Sequence, residues 1–244
     1  MSRVDVLTLP EQVPSQSGEW VPVVIDLLRA TTTIVTAFYH GASGVFPVET
    51  VEEARELVEE SGLLAGERGG LPPEGFDLGN SPLELIEHGV GGKRIWLTTS
   101  NGTRALKMAN RYGLPLVVSL LNLGVTVNHL AQLGEPVLLI CSGNSGILSE
   151  EDTFLAGAVV QHLTESKRGR FEFSARANQA LELYRSGSGN LEEFLLQCPH
   201  AQNLTVLRSV LVTWRLNAAF PSFLQKPYKF QRDFYHFCTP QGFI

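Results

Sequence analysis

A layered α/β/α fold on a largely parallel or mixed sheet is predicted by three features of this chain. Short apolar runs of strand length alternate with longer, helix-compatible segments along most of the sequence. Several of those runs stop abruptly at a carboxylate, a hydroxyl residue or a glycine just before a helical pattern begins. This strand–polar turn–helix unit recurs and hints at two related halves, although no clean sequence repeat is present. With 244 residues, 43% of them hydrophobic, the chain can bury the core such a fold needs.

Residues 5–9 and the run Val21–Ile25 are the first strand candidates, separated by a polar turn. Residues 45–48 follow as a strand, then Thr50 and Glu53 at capping-box spacing open a helix. Residues 63–65 form a short strand feeding Gly66-Glu67-Arg68-Gly69-Gly70. Ser81-Pro82-Leu83-Glu84 predicts a helix start: a cap, a proline at the first position, and a glutamate at the third. Arg94–Thr98, residues 116–119 and residues 137–140 read as buried strands, with a helical pattern over 122–133. Ser149 opens a helix that continues to Leu163, and residues 175–197 read as two helices broken at Ser186-Gly187-Ser188-Gly189.

The segment VVIDLLRATTT concentrates chemistry at one junction. A buried strand delivers Asp26 to the sheet edge where open α/β sheets bind ligands. Arg29 adds a fork-shaped donor for phosphate or carboxylate. Thr31, Thr32 and Thr33 can cap a helix whose free N–H groups favour anions. Comparable turns follow two later strands: Thr99-Ser100-Asn101-Gly102-Thr103-Arg104 and Ser142-Gly143-Asn144-Ser145-Gly146. Glycines let backbone N–H groups approach an oxyanion, and hydroxyl or amide side chains complete the cradle. Three such turns at equivalent positions point to one shared pocket.

Composition removes several classes. A net charge of −6 with no broad basic face argues against nucleic-acid binding. No run reaches membrane-span length, and MSRVDVLTLPEQ lacks a signal peptide's apolar core, so a soluble, cytoplasmic protein is expected. Cys141, Cys198 and Cys238 are too scattered for a disulfide framework or a zinc site. Ile147 stands where a cysteine-based phosphate loop would need its arginine, and Leu28 where a phosphate-transferring aspartate pair would need its second acid. Neither G-x-S-x-G nor a P-loop is present. Acid–base work therefore falls to carboxylates, with a hard cation such as Mg²⁺ assisting. The junction acids are Asp26, Glu67, Asp77, Glu150, Glu151 and Asp152, and the strand end makes Asp26 the leading ligand candidate.

Five blocks in register, DLLRATTTIVTAFYHGA, GERGG, FDLGNSP, TTSNGTRAL and CSGNSGILSEEDTFLAGAV, resemble the 2-phosphosulfolactate phosphatase (ComB-type) family. The resemblance runs from about Val21 to about Leu163 and more weakly to about Leu207. It implies an α/β fold of its own rather than a Rossmann sheet. It also implies Mg²⁺-dependent hydrolysis of phosphosulfolactate to sulfolactate and phosphate in coenzyme M synthesis. Family blocks fall on Asp26, Arg29, Ala30, Thr31 and Thr32; on Gly66, Glu67 and Arg68; on Phe76 to Pro82; on Thr99 to Arg104; and on Glu151, Asp152, Ala156 and Gly157.

From the chemistry of these residues rather than from the resemblance, Asp26 is expected to bind Mg²⁺, with Glu67 or Asp152 completing or supporting the shell. Arg29, Arg68 and Arg104 would neutralise a small, very anionic phosphorylated substrate. Asn101, Gly102, Thr103, Ser142, Gly143 and Asn144 would donate hydrogen bonds to its oxygens. A homodimer is compatible with the sequence, and no nucleic-acid or membrane partner is expected.

The organisation predicted is a phosphatase domain over 1–205 and an atypical segment over 206–244. That segment carries Arg208, Arg215, Lys226, Lys229 and Arg232 against Asp233 alone, with seven aromatic residues after Phe220. A changed reading frame or divergence into a partner-binding tail each fit this shift. The competing functional class is a catalytically impaired anion-binding homologue with an altered C-terminus.

Overall fold

A computed structural model describes residues 1–168, 170–202 and 210. Eight strands alternate with helices: β1 (Ser2–Leu7), β2 (Val21–Ile25), β3 (Gly44–Pro47), β4 (Leu63–Gly66), β5 (Arg94–Thr98), β6 (Leu116–Val118), β7 (Val137–Cys141) and β8 (Phe171–Phe173). The helices are α1 (Ala30–Tyr39), α2 (Val51–Leu57), α3 (Pro82–His88), α4 (Gly102–Ala109), α5 (Leu123–Leu133), α6 (Glu150–Glu165), α7 (Ala175–Gly187) and α8 (Leu191–Gln197). The expected α/β layering is present, with two parallel sheets sharing a middle layer of helices. The larger sheet runs β6-β2-β7-β1-β8 and the smaller β3-β5-β4. All of their pairings are parallel.

Strand composition explains the layers. Alternate residues of β2 and β7 face opposite ways, the period-2 consequence of the pleat. Val23, Ile25, Leu139 and Cys141 pack with α5, α6, α7 and α8, together with Val210. Val24, Leu138 and Ile140 pack instead against Ile34 and Val35 of α1 and Leu106 of α4. Those two helices also touch the smaller sheet through Val45, Ile95 and Leu97. A third cluster, Phe46, Trp96 and Ala54, covers that sheet's outer face with α2, the two rings stacked 4.7 Å apart. Apolar runs on both faces of the central strands are what a doubly covered parallel sheet requires.

The caps differ from expectation in instructive ways. Thr50 Oγ1 accepts from Glu53 N–H at 3.0 Å, while the Glu53 carboxylate reaches Glu49 N–H rather than that of the cap itself. Ser81 makes no side-chain cap bond; the Glu84 carboxylate instead accepts from Gly79 N–H at 2.7 Å. The first strand begins and ends earlier than residues 5–9, because Thr8 N–H turns to Gln12 Oε1. Strand β8 escaped prediction: three residues at a sheet edge give no alternation to read. The 206–244 expectation lies outside the described residues except for Val210, which is buried.

Asp5 ties the edge of the larger sheet together. Its carboxylate, 1% exposed, accepts from Arg176 Nη2 (2.7 Å), Ser174 Oγ (2.6 Å) and Ser15 N–H (2.5 Å). Burial alone would raise its pKa, but these donors outweigh that and lower it to about 2. A folded-state value below the unfolded one means the stabilisation is full above about pH 4 and is lost as pH falls through about 2. Asp5→Asn is expected to lower unfolding free energy by roughly 2 kcal/mol at neutral pH. In denaturant titrations, that deficit should shrink steadily as pH falls from 4 toward 2.

Candidate active site

Four strands end at one place. In the larger sheet Ile25 lies opposite Cys141, and Ser142 N–H continues the ladder to Ile25 O at 2.8 Å, so Asp26 and Ser142 emerge side by side. In the smaller sheet Gly66 pairs with Thr98, and Glu67 N–H donates to Thr98 O at 2.9 Å. Gly66 has φ +154°, and a Cβ there would strike the Thr98 carbonyl. Between these two carboxyl edges opens a pocket of about 270 Å³. It takes in the residues that enter α1, α4 and α6, whose N-termini favour anions.

Of the residues singled out from the sequence, Asp26, Arg29, Glu67, Asn101, Asp152, Ser142, Gly143 and Asn144 line this pocket. Thr31 and Thr32 lie just beneath it and turn their hydroxyls inward. Thr31 Oγ1 donates to Asp26 O (2.8 Å) and Thr32 Oγ1 to Leu27 O (2.9 Å). Neither caps α1; that place is taken by the Asp26 carboxylate, whose Oδ1 accepts from Ala30 N–H at 3.1 Å. Thr103 likewise closes a reciprocal pair with Thr99. The hydroxyls of Thr31, Thr32 and Thr103 stiffen the turns, and these three residues do not line the pocket.

Two arginines stand elsewhere. Arg68 folds back onto the carbonyls of Glu67 and Glu49 and onto Thr98 Oγ1, each within 2.8 Å. Arg104 pairs with Glu11 at 3.1 Å. Neither belongs to the pocket lining. Asp77 is also structural, its carboxylate accepting from Leu64 N–H at 2.8 Å.

The acids have distinct situations. Asp152, 2% exposed, accepts from Leu27 N–H (2.8 Å) on Oδ1 and from Ser142 Oγ (2.9 Å) on Oδ2. It thereby joins the turn after β2 to the turn after β7. Burial first, then the charges of Asp26 and Glu151, push its pKa well above the usual carboxylate range. Glu151 lines the pocket and is 1% exposed. Glu67, on the opposite side, receives Ser100 N–H (2.7 Å) and Gly70 N–H (2.8 Å), which fastens the 66–70 loop to the α4 turn.

Arg29, 9% exposed, lines the same pocket, and its guanidinium makes no hydrogen bond or ion pair among the described residues. Burial lowers its pKa, and the nearby charges of Glu67, Glu84 and Asp26 work in the opposite direction. Asn80, 5% exposed, also lines the pocket, and its Oδ1 has no hydrogen-bond partner among the described residues. Asn80, Ser100, Ser149 and Glu151 join the site without having been singled out as site residues from sequence. Cys141, fully buried, has its thiol pKa raised well above normal by burial and by Asp152, which suits a packing residue rather than a nucleophile.

Gly102 permits the closeness of the two edges. A Cβ there would lie 2.5 Å from Asp26 Oδ2 and would overlap Ala30 Cβ. Gly102→Ala is expected to displace the Asp26 carboxylate and cost about 1–3 kcal/mol of stability in a chemical-denaturation assay. Undiminished stability would mean that the turn relaxes around the added methyl.

The model of the family described as 2-phosphosulpholactate phosphatase matches residues 7–210. A probable 2-phosphosulfolactate phosphatase of Thermotoga petrophila is 45% identical over 185 residues, covering 76% of this chain and 78% of its own length. Proteins of the same name from Pseudothermotoga lettingae and Carboxydothermus hydrogenoformans are 41% and 40% identical. They cover 82% and 88% of this chain, and 84% and 90% of their own lengths. The chain that folds around this pocket belongs to the 2-phosphosulfolactate phosphatase family.

Proposed function

We propose that this chain is a Mg²⁺-dependent phosphatase acting on 2-phosphosulfolactate or a related phosphorylated 2-hydroxy acid. The observation that carries the reading is that Arg29 and the buried acids Asp26, Glu151 and Asp152 line one small polar pocket. The names of the relatives support the substrate. The pocket lining suits a phosphorylated acid and a cation, because it carries both donors and carboxylates.

The donor set fits magnesium. All of these acids offer oxygen, the ligand type hard cations take, and their crowding is the repulsion a cation relieves. No three His, Cys, Asp or Glu side chains among the described residues converge closely enough to hold a metal by themselves. Mg²⁺ needs no such cage, since one or two carboxylates, waters and substrate oxygens suffice. Asp26 and Glu151 would hold it, with Asp152 fixing the backbone beneath them. When bound there, Mg²⁺ supplies Lewis-acid polarisation of a phosphoryl oxygen and acidifies a water.

The protein's own groups do the rest. Arg29 neutralises an oxyanion with a preorganised fork, and the α1, α4 and α6 turns set dipoles toward the phosphoryl group. Asn101 is held by Ser145 N–H on its Oδ1 (3.1 Å), which directs its remaining amide donors. In the reaction the ester P–O bond breaks, the oxygen of water takes its place, and the departing alkoxide gains a proton.

Phosphate release from 2-phosphosulfolactate by the purified chain should require Mg²⁺ and stop with excess chelator. Arg29→Ala should lower kcat/KM by about 10–100-fold, from the loss of a charge-assisted bond worth roughly 1.5–3 kcal/mol. Sulfolactate binding without turnover in the presence of Mg²⁺ would instead favour an anion-binding homologue.

A further inference from the structure

We infer that Asn80 is a specificity-determining residue: with Arg29 it forms the subsite for a substrate oxyanion that is not transferred. This rests on the phosphatase reading above and names the part of the pocket that reads the rest of the molecule. A phosphorylated sulfo-acid carries a carboxylate and a sulfonate besides its phosphate. In that reading the helix turns and a cation held by the acids take the phosphoryl end, so the other charged groups need donors elsewhere.

Two uncommitted polar groups stand at the pocket wall. One is the Arg29 guanidinium. The other is the Asn80 amide, which makes no side-chain hydrogen bond among the described residues although the residue is 5% exposed. The buried Oδ1 is an acceptor that an anion does not satisfy, so the group Asn80 offers an oxyanion is its Nδ2 donor. The usual structural role of an asparagine before a helix is excluded by the same fact, since the side chain bonds neither its own turn nor the helix that follows.

Glu84 braces the segment that carries Asn80. Gly79, just before it, donates to Glu84 Oε2 at 2.7 Å, and a Cβ at Gly79 would lie 2.9 Å from that same oxygen. Glu84 is one of the charges Arg29 feels. Glu84 therefore links the segment presenting Asn80 to the environment of the guanidinium. The two ends of an amide are nearly isosteric, so Asn80 can turn Nδ2 toward an anion without moving the backbone. A bidentate guanidinium flanked by an amide donor suits carboxylate or sulfonate.

The test is calorimetric titration of sulfolactate into wild-type, Asn80→Ala and Asn80→Asp full-length protein, with inorganic phosphate as the second probe. Asn80→Ala should weaken sulfolactate about tenfold, and Asn80→Asp more, while phosphate affinity stays unchanged. Steady-state assays should show the same rise in KM with kcat within about twofold. Lactate and isethionate, carrying one acid group each, separate the sources: the probe weakened by Asn80→Ala carries the oxyanion that is read. Unchanged sulfolactate affinity in both variants overturns the assignment. So does an equal loss for sulfolactate and phosphate, or a fall in kcat at constant KM. Because sulfolactate binding needs no turnover, failure of the phosphatase reading and failure of this one register separately.

Discussion

The site depends on a buried carboxylate that stitches two strand ends together. Asp152 is 2% exposed, and both oxygens are occupied, by Leu27 N–H and by Ser142 Oγ. Charged and unpaired, such a group would be costly. Here it is met by a backbone donor, a hydroxyl and the N-terminus of a sixteen-residue helix whose Ser149 cap accepts from Asp152's own N–H. Removing it would release the turn carrying Asp26 from the turn carrying Ser142 to Asn144. Burial, and then the charges of Asp26 and Glu151, raise its pKa. The chain keeps three acids near one another where an apolar core would be more stable, a signature of function at the expense of folding.

The double-sheet architecture makes this crowding useful. A lone parallel sheet offers a single carboxyl edge. In this fold the edges of β2 and β7 face those of β4 and β5 across the N-terminal turns of α1 and α4. Glu67 bonds Ser100 and Gly70, and Asn101 bonds Ser145 N–H, so the loops from different strands brace one another. The pocket thus gathers residues from both sheet edges, set by backbone topology and held by short polar links.

Much of this was legible in the sequence because it is periodic. Apolar runs ending in Asp26, Thr98 and Cys141 give strand, edge and junction together, and the repeated Gly/Ser/Asn turns imply that the junctions meet. Whether one sheet or two lay beneath was not legible, since each strand carries the same apolar pattern in either arrangement. Side-chain direction was the other gap. Arg68 and Arg104 sit in turn motifs beside pocket residues, yet Glu49, Thr98 and Glu11 draw them away. Thr31 and Thr32 read as helix caps, but Asp26 is nearer the free N–H of Ala30 and takes that place. Asn80 lies in a Gly/Pro-bounded stretch that reads as a turn, and only its unpartnered amide in three dimensions sets it apart.

The central claim is that Asp26 and Glu151 hold a cation in the pocket that Arg29 also lines. Anomalous diffraction from crystals soaked in Mn²⁺, a magnesium surrogate, tests it most directly. The account predicts one strong peak in the pocket within coordination distance of Asp26 and Glu151, and none after Asp26→Asn. A peak bound by Glu67 alone, or a pocket that stays empty while wild-type turnover remains metal-dependent, would contradict it.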